Sequence, residues 1–282
     1  MTQQVAVIGA GGHTGRHVVA ELARRGIRAR GLVHSERSAE TARAAGAADV
    51  VSTDLDEPDS LRAAVTGCDT LVFIAPPFDA GEETHAAEAL RAATASRVEH
   101  FVYYSVLHAN LPDMPHHVRK LHAESLVRRS SPGWTIVQPA MYQQSLLRFV
   151  QAARDGVVRL PFRLTASFQL VDLRDVAEVI GQVCAEPGEH VHASYELAGP
   201  ERLTAEEMIQ RIGQATGEDL RAEHVSPLQW PLPPELPLPA ALEMLTMFAH
   251  YDGSGYPGNP TVLKHLLDRA PTPLATTARR ER

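Results

Sequence analysis

Apolar and polar positions along the chain alternate between two rhythms. Short apolar runs at residues 5–8, 27–33, 49–52, 69–75, 100–105 and 134–138 read as strands. Between them, apolar residues recur three and four apart, the spacing of amphipathic helices, over residues 14–25, 39–45, 81–96 and 117–130. In the first of these helices Val18, Val19, Leu22 and Ala23 share the buried face, and Gly26 ends it. A further helix opens at Glu57-Pro-Asp-Ser-Leu, with proline in its first turn. The run at 70–74 (Thr-Leu-Val-Phe-Ile) is apolar at nearly every position, as in a strand covered on both faces. Strict alternation of strand and helix predicts an α/β fold, a doubly wound parallel sheet with right-handed crossovers.

The first strand runs straight into Gly9, Gly12 and Gly15 at three-residue spacing, with a helix behind them. Strand, glycine turn and helix in that order open a dinucleotide-binding unit. Gly9 lets the chain turn off the strand, Gly12 leaves the backbone open to a pyrophosphate, and Gly15 lets the helix pack closely. The N–H groups of the helix start, around His13 and Thr14, then face the phosphates. The tip of the second strand separates the two nicotinamide cofactors. An acidic residue there would bind the ribose hydroxyls, whereas Leu32-Val33-His34-Ser35-Glu36-Arg37 offers His34, Ser35 and Arg37 to a 2′-phosphate. NADP(H) is therefore expected over NAD(H). Asp54, after the third strand, is a candidate for the adenine amino group or for capping a local turn. Ala75-Pro76-Pro77 is a stiff wall at the carboxyl end of the fourth strand, where ligands bind in open α/β sheets.

After Pro139 the rhythm loosens. A helix is expected over 142–153, a strand over 168–173, a helix over 176–185 with Asp175 as its N-cap, and a strand over 194–197. Thr204-Ala-Glu-Glu207 is a capping box opening a helix to Thr216. Six prolines between 227 and 239 exclude a regular helix there and suggest a wall over a ligand cleft or a surface linker. Helices resume at 240–250 and 261–268, and the last ten residues are expected to fray. The division expected is a Rossmann core over 1–139 and, over 140–282, a smaller α+β substrate lobe with some segments returning to the core.

Composition narrows the partners. The 282 residues are 44% hydrophobic and 22% charged, as in an ordinary globular protein, and the net charge is −7. No basic stretch offers the clustered cations that nucleic acid requires. Cys68 and Cys184 form neither a disulfide framework nor a zinc spacing, so a reducing cytoplasm is the expected setting. No apolar run is long enough to span a membrane, and the chain enters a strand at once, so no signal peptide is expected. Among the 14 histidines, His116, His117 and His122 lie close together but lack an ordered ligand spacing, so no metal is expected.

Beyond the glycine motif, several segments carry a resemblance in order: Thr53-Asp54-Leu55-Asp56 with Pro58 and Leu61, Val98 to Ser105, Lys120 with Glu124, Trp134 to Pro139, Val171 to Ala177, and Tyr195 to Pro200. Over most of residues 5–217 the chain resembles the NmrA-like branch of the atypical short-chain dehydrogenases/reductases. The resemblance implies a Rossmann domain with a C-terminal substrate lobe and NAD(P)H binding. It spans reductases of quinones and other carbonyls, and redox sensors that bind cofactor without turnover. It places Ser105 as a substrate-polarising hydroxyl and Lys120 on the nicotinamide ribose, with Pro139 bordering the cofactor.

Three positions depart from the superfamily: His34 and Gln138 stand where related sequences often have arginine, and the third lies just before Lys120. Four residues before Lys120, where a catalytic tyrosine is usual, stands His116. Its pKa range suits a general acid, which makes Ser105, His116 and Lys120 the candidate catalytic set. An exposed loop histidine is the alternative. Trp230, Phe248 and Tyr251 suggest apolar walls for a small, flat, apolar substrate. The function expected is reduction of a quinone, ketone or enone by hydride transfer. The alternatives are a non-catalytic redox sensor and a redox-neutral enzyme. A homodimer is the assembly this reading allows.

Overall fold

The structure is a computed structural model that describes residues 3–234 and 236–282. The chain divides into two compact units. The first comprises residues up to 110 together with 117–138 and 176–195; the second comprises 111–116, 139–175 and 196–282.

The first unit is built on a sheet with β1 (Gln4–Ile8), β2 (Arg28–Val33), β3 (Asp49–Ser52), β4 (Thr70–Phe73), β5 (His100–Tyr104), β6 (Gly133–Pro139) and β9 (Ala193–Leu197). Their order is β3-β2-β1-β4-β5-β6-β9. From β3 to β6 neighbouring strands pair in parallel, with Val7 opposite Gly31 and Val72, and Tyr103 opposite Phe73 and Ile136. Direction of winding reverses between β1 and β4, the place where such sheets open a crevice at their carboxyl ends. The helices of this unit are α1 (Gly15–Arg24), α2 (Glu36–Ala44), α3 (Pro58–Val65), α4 (Glu82–Ala95), α5 (Pro115–Arg128), α7 (Leu173–Ala185) and α8 (Pro187–His190). One face of the sheet buries Ile8, Leu71, Phe73, Phe101, Tyr103 and Ile136 against Leu61 of α3, Ala86, Ala89 and Ala93 of α4, and Ala123 and Val127 of α5. The alanines of α4 let it lie close to the sheet, and Phe73 stacks on both Phe101 and Tyr103. On the other face, Gly181 of α7 takes Glu21 and Arg25 of α1 against its bare backbone.

The second unit holds α6 (Gln143–Gln151), β7 (Val157–Leu160), β8 (Ser167–Phe168), β10 (Leu203–Thr204), α9 (Ala205–Thr216), β11 (Arg221–His224), α10 (Leu238–Ser254), α11 (Thr261–Leu267) and α12 (Leu274–Arg280). β7 pairs β11 in parallel and β8 pairs β10 antiparallel. The capping box forms as read: Thr204 accepts from the Glu207 N–H, and Glu207 reaches back. Neither β7 nor β11 shows in the sequence, because Val157–Leu160 is too short a run to carry a pattern and Arg221–His224 is polar at three of its four positions.

Four expectations are corrected. The strand at 168–173 shrinks to its first residue, since Gln169 bonds to Tyr256 while Val171 bonds to Met141, so no single partner extends a ladder. Asp175 is not the N-cap of α7: Asp172 sits there, accepting from the Arg174 N–H at 2.8 Å, while Asp175 binds Thr272 and Arg269. The proline stretch makes a 3-10 turn at Pro227–Gln229, and its end starts α10, because a first turn has no use for the missing N–H. The last ten residues, expected to fray, instead contain a two-turn helix, α12 over Leu274–Arg280. Arg280 of α12 reaches the buried Asp172 at 2.7 Å, and Thr277 bonds to Asp172 and Gln143. Among the described residues, no helix is long and apolar enough to cross a membrane.

Candidate cofactor and catalytic site

The glycine turn is held by the positions the motif names. Gly9 has φ +76°, and a Cβ there would lie 2.7 Å from the Ile74 carbonyl of the neighbouring strand end. At Gly15 a Cβ would overlap the Gly9 carbonyl, so the helix can start this close to the strand only without a side chain. Gly12 is exposed, and its N–H bonds back to Gly9 at 2.9 Å. Gly11, which lies outside the motif, has its own constraint: a Cβ would overlap the backbone of Ser38. That close approach sets the first turn of α2, including Arg37, beside the glycine turn. His13 rests edge-on against His17, with ring centroids 6.1 Å apart.

The start of α1 carries no side-chain cap at Thr14, unlike α2, where Ser35 accepts from the Ser38 N–H. Orphan N–H groups at a helix start are satisfied by caps, water or ligands. An open turn without side chains and an uncapped helix start together fit the diphosphate of a dinucleotide. His34 and Arg37 are exposed at the tip of β2, and Arg37 forms no ion pair with any described residue. Glu36, whose charge would oppose a phosphate, is instead paired with Arg43 at 2.7 Å.

Asp54 turns its carboxylate onto the Asp56 N–H at 3.0 Å, closing a local turn. Ala75 and exposed Pro76 follow β4. His85 of α4 bonds to Asp79 at 2.7 Å and to Asp56 at 3.2 Å, joining the loops after β4 and β3. Burial opposes the charged imidazolium, but the two carboxylates outweigh it and raise the pKa of His85.

At the carboxyl end of β5 two buried carboxylates organise the polar side chains. Glu82, the first residue of α4, is 2% exposed and accepts at one oxygen, Oε1, from both Tyr103 Oη at 2.7 Å and Lys120 Nζ at 2.5 Å. Burial and the Glu82 charge push the Tyr103 phenol well above its usual value, so it stays a donor. Lys120 also donates to the Tyr104 carbonyl at 3.3 Å. An ammonium has three N–H donors, and no other described residue takes the third. Glu124, one helical turn beyond Lys120 and 1% exposed, accepts from Ser105 at 2.5 Å, Gln138 at 2.7 Å and Arg128 at 2.9 Å. Lys120 and Ser105 are thus held by two different carboxylates, Lys120 by Glu82 and Ser105, with its hydrogen turned inward, by Glu124.

His116 is the second residue of α5, 9% exposed, in a segment that groups with the second unit. It is not the exposed loop histidine of the alternative reading. His117, fully buried, faces the His108 carbonyl at 2.9 Å. Pro139, the last residue of β6, is buried. Among the described residues there is no cluster of ligating side chains that would hold a metal. Within the second unit, Phe149, Trp230 and Phe248 meet edge to face with centroids 5.6–6.4 Å apart, and Phe162, Phe168, Tyr251 and Tyr256 continue the aromatic cluster.

The sequence reading missed Glu82 and Tyr103. A Glu-Glu pair at a helix start reads as an ordinary complement to the helix dipole, and a tyrosine in an apolar strand reads as core. Only their burial against Lys120 reveals them.

The NmrA-like family profile matches residues 1–277. An NAD(P)H azoreductase of Xenophilus azovorans is 31% identical over 220 residues, 77% of this chain and 75% of its own. A (4-alkanoyl-5-oxo-2,5-dihydrofuran-3-yl)methyl phosphate reductase of Streptomyces griseus subsp. griseus is 32% identical over 228 residues, 78% of this chain and 77% of its own. The crystal structure of an NADPH-dependent quinone oxidoreductase of Escherichia coli with NADPH superimposes with a TM-score of 0.84 at 21% identity, covering 98% of this chain and 99% of that one. With the family profile matched over nearly its whole length, the chain belongs to the NmrA-like family.

Proposed function

We propose that this NAD(P)H-dependent reductase takes hydride from NADPH, in preference to NADH, and passes it to a small, flat, conjugated acceptor such as a quinone, ketone or enone. The observation that carries this is the uncapped helix start behind the glycine turn, in the same unit as a lysine with one N–H to spare. The relatives named as an azoreductase, a reductase of an alkanoyl-oxo-dihydrofuran methyl phosphate and a quinone oxidoreductase support the same class of chemistry.

Bound nicotinamide supplies the hydride. The chain's part is to hold and orient. The turn from Gly9 to Gly15, with the backbone of His13 and Thr14, takes the diphosphate. Arg37 and His34 take the 2′-phosphate, Arg37 through charge-assisted hydrogen bonds. The Asp54 turn borders the adenine, and Ala75-Pro76 gives the nicotinamide side a wall with few donors. Lys120 holds the ribose hydroxyls with its third N–H. His116, four residues before Lys120, gives the proton that the reduced acceptor gains. Ser105 keeps α5 in register with β5 through Glu124, and Pro139 borders the cofactor.

The test is NADPH oxidation, followed by the absorbance of the reduced nicotinamide, with a panel of quinones, azo dyes, ketones and enones, repeated with NADH. Turnover with at least one conjugated acceptor, faster with NADPH, is expected. Tight NADPH binding with no oxidation by any of the panel would sink the reductase assignment.

A further inference from the structure

The chain carries 27 cationic residues besides histidine, and only two of them, Lys120 and Lys264, are lysine. Arginine serves everywhere else, including every other ion pair to a buried carboxylate among the described residues: Arg128 to Glu124, Arg269 to Asp175 and Arg280 to Asp172. Lys264 is exposed on α11. Among the described residues, Lys120 is therefore the one place where a buried carboxylate meets a compact ammonium instead of a planar fork. A guanidinium spends its donors pairwise in one plane, whereas an ammonium can give one N–H to a carboxylate, one to a carbonyl and one outward.

Glu82 decides where that third N–H points. Its Oε1 lies 2.5 Å from Lys120 Nζ, and the Tyr103 hydroxyl pins the same oxygen from the sheet side at 2.7 Å. Glu82 is 2% exposed and Tyr103 fully buried, so the carboxylate cannot swing into solvent and has no cation but Lys120 among its described partners. The lysine side chain is 16% exposed and lies with Nζ 5.8 Å from the Tyr103 ring centroid. A long flexible side chain is thus held at its tip by a carboxylate on a different helix, itself held by the sheet. Holding a lysine tip this way costs rotamer entropy before any ligand arrives, which leaves less to be lost on binding.

We propose that Glu82 is a positioning residue of the cofactor site. Clamped by Tyr103, it fixes the Lys120 ammonium so that one N–H faces the ribose of the nicotinamide nucleotide. This rests on Lys120 holding the ribose, but it is read without any acceptor. Failure of every acceptor would remove the reductase assignment and leave the Glu82–Lys120 relation standing.

The experiment uses the full chain labelled with 13C at lysine Cε, which reports two side chains. Wild-type Lys120 is expected to show two resolved Hε resonances, as a fixed side chain does, and Lys264 one averaged resonance. In Glu82→Gln the Lys120 pair should collapse, and NADPH affinity, measured by cofactor fluorescence, should fall about tenfold. In a Lys120→Gln background the same Glu82→Gln change should alter NADPH affinity by less than about twofold, because the two residues then act through one interaction. A resolved Lys120 pair with wild-type affinity in Glu82→Gln overturns the proposal. So does an equal loss in both backgrounds, which would mark a merely structural carboxylate. Should Glu82→Gln not fold, Glu82→Asp keeps the buried charge but draws it back by one methylene. Averaged Lys120 resonances with weakened NADPH binding are then expected, and unchanged affinity overturns the proposal.

Discussion

Ser105 donates its hydroxyl to Glu124 at 2.5 Å, so the end of β5 is tied to the middle of α5, one turn beyond Lys120. The serine hydrogen points into the protein, toward a carboxylate that also receives Gln138 and Arg128. Ser105→Ala should therefore act first on stability. Loss of a hydrogen bond to a charged group costs ~1.5–3 kcal/mol, read from urea or thermal melts. Acceptor reduction should fall by less than about tenfold through the loosened α5. A loss of kcat of about a hundredfold with unchanged stability would instead put the hydroxyl on the acceptor oxygen.

Arg37 should decide the choice of cofactor. It is exposed, without an ion pair to any described residue, on the turn of α2 that packs against Gly11. Arg37→Ala should weaken NADPH binding by about tenfold and leave NADH binding within about twofold, since only the 2′-phosphate gives it a bidentate partner. Isothermal titration with each cofactor measures the difference. Equal losses for both would place Arg37 elsewhere on the ligand.

The glycines should separate folding from binding. A Cβ at Gly12 would stand 3.1 Å from the Gly9 carbonyl, a contact that small shifts relieve, whereas one at Gly15 would overlap that carbonyl. Gly12→Ala should melt within a few degrees of wild type (about 1 kcal/mol or less) yet bind NADPH at least about tenfold more weakly. Gly15→Ala should lose stability outright, by about 1–3 kcal/mol, as overpacked sites do.

His85 makes one part of stability depend on pH. Its folded pKa is raised: burial works against the charge, and Asp79 and Asp56 more than restore it. A raised pKa means the contribution is fully present below the unfolded value, ~6.5, and is lost as pH rises through the folded pKa. Asp56 is 84% exposed, so its share is screened by solvent and salt. The stability gap between wild type and His85→Ala should thus be largest near pH 5.5 and shrink toward pH 8.5. A gap that widened with pH would contradict a protonated clamp.

In the second unit, Asp172 is fully buried and accepts from Gln144, Thr277, Arg280 and the Arg174 N–H. Burial alone would raise its pKa; these bonds outweigh it and hold the carboxyl below its usual value. Arg280→Ala should cost ~3–5 kcal/mol in urea unfolding, because it removes the cation from a buried carboxylate. The loss should lessen in acid, as the pH falls through the lowered Asp172 pKa. An Arg280→Ala protein as stable as wild type would mean that α12 is held by its apolar contacts alone.

The local patterns were legible wherever the chemistry is local. Strand β1, Gly9, Gly12 and Gly15, the Thr204–Glu207 box and the alternation that builds the parallel sheet depend on neighbours a few residues apart, and each is visible in a single stretch of sequence. What tertiary structure alone decided concerns groups brought together from far along the chain. Glu82, Tyr103 and Lys120 are separated by 21 and 17 positions, and Ser105 and Glu124 by 19, so nothing in their own segments marks them as partners. Asp172 and Arg280 lie 108 positions apart, and an arginine near a chain end reads as solvated until a buried carboxylate is seen to receive it. Periodicity records which face of an element is apolar. Burial of a charge shows only in the assembled fold, where a carboxylate removed from water needs a partner and the partner's position is thereby determined.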